Sequence, residues 1–202
     1  MRKEQAPEIF VARQPVLDRA RNLVAYELLF RSSESMAEAR VADDAAATAG
    51  VVTRAFRDLG IETVVGGATA FVNVDAVSLM SNLVESLPSD RVVIELLETI
   101  AVDRTIVRRC RDLKAKGYRL ALDDFSRYGP EYEPLLELVD IVKVDVMSLD
   151  PASLADVVRL LKPWRRTLLA EKIECRQRAR DCLAMGFHLF QGFYFGRPAI
   201  LA

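Results

Sequence analysis

Two adjacent carboxylates, Asp123 and Asp124, close a short apolar run, Arg119-Leu120-Ala121-Leu122. Like charges side by side repel each other and call for a cation or a shared proton. They have company. Glu27, Asn73, Glu95, Lys143, Asp145, Glu171 and Gln191 also follow or end apolar runs, among them Phe71-Val72, Val93-Ile94, Ile141-Val142 and Leu168-Leu169-Ala170. A charged group in such a place is expensive unless it is paired, metal-bound or solvated. Any one acid could pair with one of the many arginines, but so many at matching positions read as a site. Oxygen donors without clustered His or Cys point to Mg²⁺, Mn²⁺ or Ca²⁺ rather than zinc. The lone His188 reads as a packing or surface residue. With several carboxylates available, two ions about 3.5–4 Å apart can share one acid and clamp the attacking and leaving oxygens of a phosphoryl displacement. Lys143 could orient or help deprotonate the attacking water, or stabilise charge on the phosphate.

These residues need a scaffold that brings distant parts of the chain to one rim. Ile9-Phe10-Val11-Ala12 and the apolar run from Asn22 to Phe30 flank a short polar segment, Asp18 to Arg21, and so predict a hairpin. Helical spacing runs from Ala37 to Leu59, with Gly60 placed to stop it. Strands are then expected over 70–74, 91–96, 118–123, 141–145, 167–171 and 187–191, and helices near 76–86, 103–116, 131–138, 151–161 and 175–185. Gly117 and Gly186 mark two helix ends. About eight strands with intervening helices make a βα repeat, which permits an open doubly wound sheet or a closed barrel. Polar residues at the ends of many successive strands favour the barrel, whose strand ends surround one mouth.

Composition narrows the partners. The 202 residues are 51% hydrophobic, enough for one domain with a sizeable core, and 28 basic residues stand against 29 acidic ones. A net charge of −1 draws the chain to neither a nucleic-acid polymer nor a membrane, so an anionic ligand needs a local site. Cys110, Cys175 and Cys182 form no CxxC pair and read as ordinary thiols of a reducing compartment. No apolar run approaches the roughly 20 residues of a bilayer span, and no signal peptide is legible. The expectation is a soluble, cytoplasmic protein.

Taken together, the motifs resemble the EAL domain of cyclic di-GMP phosphodiesterases. Tyr26-Glu27-Leu28-Leu29-Phe30-Arg31 is similar to the signature that names the family, with Leu28 where its alanine would stand. Gln14-Pro15-Val16, Phe71-Val72-Asn73-Val74, Glu95-Leu96-Leu97-Glu98, Asp123-Asp124-Phe125, Lys143-Val144-Asp145, Ala170-Glu171-Lys172-Ile173-Glu174 and Gln191-Gly192-Phe193 follow in the family's order. The resemblance implies a single EAL domain over residues 1–202, folded as a modified TIM (β/α)8 barrel with an antiparallel first strand. It implies two Mg²⁺ or Mn²⁺ ions and hydrolysis of cyclic di-GMP to linear pGpG in bacterial second-messenger signalling. By the same carry-over Glu27, Asn73, Glu95 and Asp123 hold one metal. Asp123, Asp124 and Glu171 serve the second, directly or through water. Lys143 contacts the nucleophilic water, Gln191 orients the cluster and contacts substrate, and Gln14 and Arg31 bind the dinucleotide; a planar guanidinium suits phosphate.

Two departures bear on activity. After Phe125 the family usually carries a glycine-rich turn, whereas here Ser126-Arg127-Tyr128-Gly129-Pro130-Glu131 puts bulky side chains where glycines adopt positive φ. Lys172 replaces a small glycine beside Glu171. This compact pattern looks most like the EAL half of EAL-HDOD proteins, often weak or inactive enzymes, which implies an HDOD domain or another signalling protein as partner; a homodimer is also consistent with the resemblance. The alternative to an enzyme is a degenerate EAL module that binds cyclic di-GMP or a protein without hydrolysis.

Overall fold

Asp18 shapes the first turn. Its Oδ1 accepts from the N–H groups of Ala20 and Asn22, both at 2.8 Å, and Arg21 takes φ 67 to let the chain reverse. In the computed structural model, which describes residues 10–31 and 52–201, this turn joins β1 (Phe10–Asp18) to β2 (Leu23–Arg31) as an antiparallel hairpin. Six strands follow: β3 (Thr69–Val74), β4 (Val92–Leu96), β5 (Arg119–Leu122), β6 (Ile141–Asp145), β7 (Thr167–Glu171) and β8 (Leu189–Phe190). Each from β3 onward lies parallel to the one before it. β1 pairs antiparallel with β8 as well as with β2, so the ring closes. The fold is thus a modified TIM barrel with one reversed strand, as expected. A short β9 (Ala199–Ile200) adds to the outer end of β1. Two residues beside Pro198 carry no alternation, so nothing in the sequence marked it.

Helices face outward where their apolar spacing turns them inward. α1 (Ile61–Val65) and α2 (Ala76–Met80) are short, while α3 (Arg104–Ala115) is capped by Asp103, whose carboxylate accepts from Thr105 and Ile106 N–H at 2.8 Å. It buries Ile106, Cys110 and Leu113 at helical intervals. After a brief α4 (Glu133–Leu136), α5 (Pro151–Leu161) starts on Asp150 with Pro at its first position and buries Leu154, Val157 and Leu161. α6 (Arg176–Met185) ends on Gly186 at φ 100. Burial pushes the Cys110 thiol up to about 12 and that of Cys182 up to about 11, marking both as packing groups.

Two expected helices are broken. The stretch 76–86 stops at Ser81, whose hydroxyl donates to Ser78 O and accepts from Leu83 N–H, drawing the chain out of the helix before a 3₁₀ turn at Val84–Ser86. The stretch 131–138 splits into a 3₁₀ turn, Pro130–Tyr132, and α4. Of the helix expected from Ala37 to Leu59, the part before Val52 lies outside the described residues, and the rest contains a π-helical turn, Thr53–Asp58. No helix among the described residues is long and apolar enough to cross a membrane.

Candidate active site

The barrel interior has a floor and a polar layer above it, set by the two-residue period of strands. Val16, Ala25, Phe71, Val93, Ala121, Ile141 and Leu169 pack together as a separate buried cluster, inside the ring. Two residues further along each parallel strand, on the same face, come Glu27, Asn73, Glu95, Asp123, Lys143 and Glu171. On reversed β1 the order inverts, and Gln14 precedes Val16; it lies opposite Glu27 in the ladder. Burial of a Val- to Phe-sized floor residue contributes about 1.5–3 kcal/mol, which fixes register and with it the layer above.

Lys143 stands at the centre of that layer. Its Nζ is 2.9 Å from Asp123 Oδ1, 2.8 Å from Glu171 Oε1 and 3.7 Å from Glu27 Oε2, and it is in direct contact with Glu95. Its side chain is 1% exposed and that of Glu95 is fully buried. Asn73 donates to Glu27 Oε1 at 2.9 Å, and Gln191 donates to Glu27 Oε2 at 2.5 Å and to Gln14 Oε1 at 3.1 Å. Gln14 in turn donates to Gly196 O. Four carboxylates around one ammonium leave the layer short of positive charge. Burial, reinforced by the charges of Glu171, Glu27 and Asp124, therefore holds Asp123 well above the usual carboxylate range. Burial pushes Glu171 up to about 7, with the Lys143 charge pulling against it.

The donor set fits a hard divalent cation. Glu27, Glu95 and Glu171 each offer an oxygen within 4.8 Å of the others'. Glu95 Oε2 and Glu171 Oε2 are buried without a hydrogen-bond donor among the described residues, a costly state that a cation would relieve. A second trio, Glu98, Asp123 and Asp124, meets the same distance criterion nearer the surface. The inner trio opens through Glu27 and Glu171 toward a cleft of about 350 Å³ lined also by Gln14, Asp123, Lys172, Gln191 and Phe193, and the outer trio lines a neighbouring cleft of about 200 Å³.

The two adjacent aspartates are separated by a change of neighbour. Asp123 N–H donates to Leu96 O of β4 and Phe125 N–H to Lys143 O of β6, at 3.0 and 2.9 Å. Asp124, between them, turns through φ 44 and points its carboxylate at Lys172. In the loop 126–131 none of the residues is left-handed, and Phe125 packs edge-on against Tyr132, ring centres 5.2 Å apart.

The structure thus brings Gln14, Glu27, Asn73, Glu95, Asp123, Lys143, Glu171 and Gln191 into one layer, with Asp124 at its edge. Arg31 ends β2, but its side chain lies outside the described residues. His188 is exposed at the opposite end of the barrel and accepts from Leu168 N–H through Nδ1. Sequence reasoning assigned no role to Glu98, and it noted Lys172 only for its size. Lys172 Nζ contacts Asp124 Oδ1 at 2.7 Å and Asp145 Oδ2 at 2.8 Å. Against the pull of partial burial, these two acids raise the Lys172 pKa. Asp145 is likewise held below its ordinary value, in spite of its burial, by Lys172 and the N–H groups of Ser148 and Met147. The spacing of Glu98 three residues after Glu95 was the one available signal for the outer trio.

The EAL domain family model matches residues 2–198. The chain belongs to the EAL domain family. It is 38% identical over 199 residues to the Bacillus subtilis protein YuxH, covering 96% of this chain and 48% of that one. It is 36% identical over 194 residues to the Vibrio cholerae cyclic di-GMP phosphodiesterase CdgJ, covering 95% of this chain and 45% of that one. The chain spans about half the length of these two relatives. Among solved structures it is similar to Klebsiella pneumoniae BlrP1 in a manganese and cyclic di-GMP complex, with a TM-score of 0.71, 26% identity, and coverage of 99% of this chain and 58% of that one. EAL domains share the modified TIM barrel described above, and the EAL chain's acidic layer lies where its parallel strands end.

Proposed function

We propose that this EAL domain binds cyclic di-GMP together with Mg²⁺ or Mn²⁺ and hydrolyses it to linear pGpG. The observation that carries the reading is the layer of four carboxylates around Lys143, in which Glu95 and Glu171 keep buried oxygens without donors among the described residues. Glu27, Asn73, Glu95 and Asp123 would hold one ion, and Asp123, Asp124 and Glu171 a second. A bound divalent ion supplies Lewis acidity toward the phosphate oxygens and makes water a better nucleophile at neutral pH. Lys143, fixed by strand β6, would hold that water and balance the charge of the attack. Gln191 and Asn73 orient Glu27, since each donates to a different one of its oxygens. Gln14 and Arg31 would contact the dinucleotide. The relative named a cyclic di-GMP phosphodiesterase and the manganese and cyclic di-GMP complex of BlrP1 support the choice of substrate and ion.

A second reading has its own observation. Lys172 grips Asp124, and the loop that follows lacks glycine-type turns, which favours a domain that binds the dinucleotide and turns it over slowly or not at all. Incubating the protein with cyclic di-GMP and Mn²⁺ and separating the products by chromatography decides between them. The enzyme yields linear dinucleotide that Glu171→Gln and Glu27→Ala abolish; calorimetric binding without product selects the binding module.

A further inference from the structure

Lys172 and Asp124 are two of the four non-glycine residues with left-handed backbone among those described, at φ 56 and φ 44, and they face each other. Such conformations are disfavoured for residues with a side chain and persist when surroundings hold them. Here the holding is visible from behind. Ile173 N–H donates to Gln191 O at 3.1 Å, Tyr194 N–H donates to Ile173 O at 3.0 Å, and Gly192, at φ 146, lies so close to the Ile173 backbone that a side chain would collide with it. In front, the Lys172 ammonium reaches Asp124 Oδ1 and Asp145 Oδ2 at 2.7 and 2.8 Å. Asp145 is itself anchored, its Oδ1 accepting from Met147 and Ser148 N–H at 2.8 and 3.1 Å. The ammonium therefore bridges acids from the ends of two neighbouring strands, and one of them is a carboxylate that a second divalent ion would need.

We propose that Lys172 is a resident cation of the outer half of the site, its ammonium neutralising Asp124 and Asp145 in place of a second divalent ion, so that the chain takes up one such ion at its inner carboxylates. The proposal rests on the divalent-cation reading given above, keeps its inner ion and replaces its second ion with the Lys172 ammonium. An ammonium supplies one charge and three N–H donors, enough to satisfy two carboxylates, but it offers no coordination position. A divalent ion at Asp124 would meet the charge of this ammonium and compete with it for the carboxylate. A glycine at 172 would leave Asp124 free to turn toward Asp123 and Glu98, which already lie within 4.8 Å of it.

The test counts ions. Mn²⁺ is titrated into the full chain without nucleotide, and free Mn²⁺ is measured by electron paramagnetic resonance, with circular dichroism checking the fold. One bound ion is expected for the wild type and two for Lys172→Met and Lys172→Gly, the second binding tighter than any weak wild-type binding by on the order of tenfold or more, the scale on which outer partners act on a metal site. Methionine keeps the stem and leaves backbone demands as they are, so it serves if the glycine variant fails to fold. Two ions in the wild type, or one in every protein, overturns the role of Lys172 and leaves the divalent reading standing. No ion in any of them overturns that reading and this proposal with it.

Discussion

Lys143 and Lys172 each hold more than one carboxylate, yet by different means. Lys143 lies within strand β6, 1% exposed, above an apolar floor that leaves its side chain no alternative course. Lys172 follows the end of β7, 40% exposed, and depends on a left-handed backbone and the contacts of Ile173 with the last turn of the barrel. The strand-borne cation is positioned by the fold; the loop-borne one is positioned by a few local hydrogen bonds at the rim. Charge placed in the interior is a commitment, whereas charge placed at the rim is adjustable.

Removing each in turn should make the contrast plain. In metal-free protein at pH 8, Lys143→Met leaves Glu95 and Glu171 buried without their counter-charge and is expected to cost about 3–5 kcal/mol in urea unfolding. Equal losses from Lys143→Met and Lys172→Met would break the distinction.

The next effect is a pH dependence confined to the inner group. Because burial raises Glu171 from 4.5 to about 7 in the folded chain, its contribution is fully present below about pH 4.5 and is lost as the pH rises through about 7. Metal-free protein should lose about 3 kcal/mol of stability across that window, read as a falling melting temperature. Glu171→Gln has no proton to lose and should flatten the curve, leaving the part due to Asp123. A curve as steep in the variant would remove Glu171 from the titrating cluster. Smallest of all, Lys172→Met is expected to change metal-free stability by less than about 1 kcal/mol, as suits a half-exposed ion pair; a larger loss by urea unfolding would make the rim as fixed as the interior.

Much of the inner group was legible because it obeys strand periodicity. Val93 and Glu95, Ile141 and Lys143, Leu169 and Glu171 alternate with outward residues, so an apolar run ending in a charge announces both strand and site. The hairpin was marked by Asp18 and a polar turn. What escaped were features decided by partners far along the chain. Lys172 looks like a surface lysine until Asp124 and Asp145 are brought beside it by separate strands. β9 exists only because β1 offers it an edge, and the break at Ser81 turns on one hydroxyl outcompeting the helix. Arg31, conspicuous as a phosphate binder by type, stands at the end of β2, where its backbone alone is described.

The reversed first strand has a consequence for synthesis. β1 sits between β2 and β8 and also carries β9, so while the ribosome is still adding residues before Leu189 it can pair only with its hairpin neighbour. Closure waits for the pairing of Leu17 with Phe190, the kind of long-range contact that slows folding. The ring that encloses the acidic layer therefore closes only once β8 is in place.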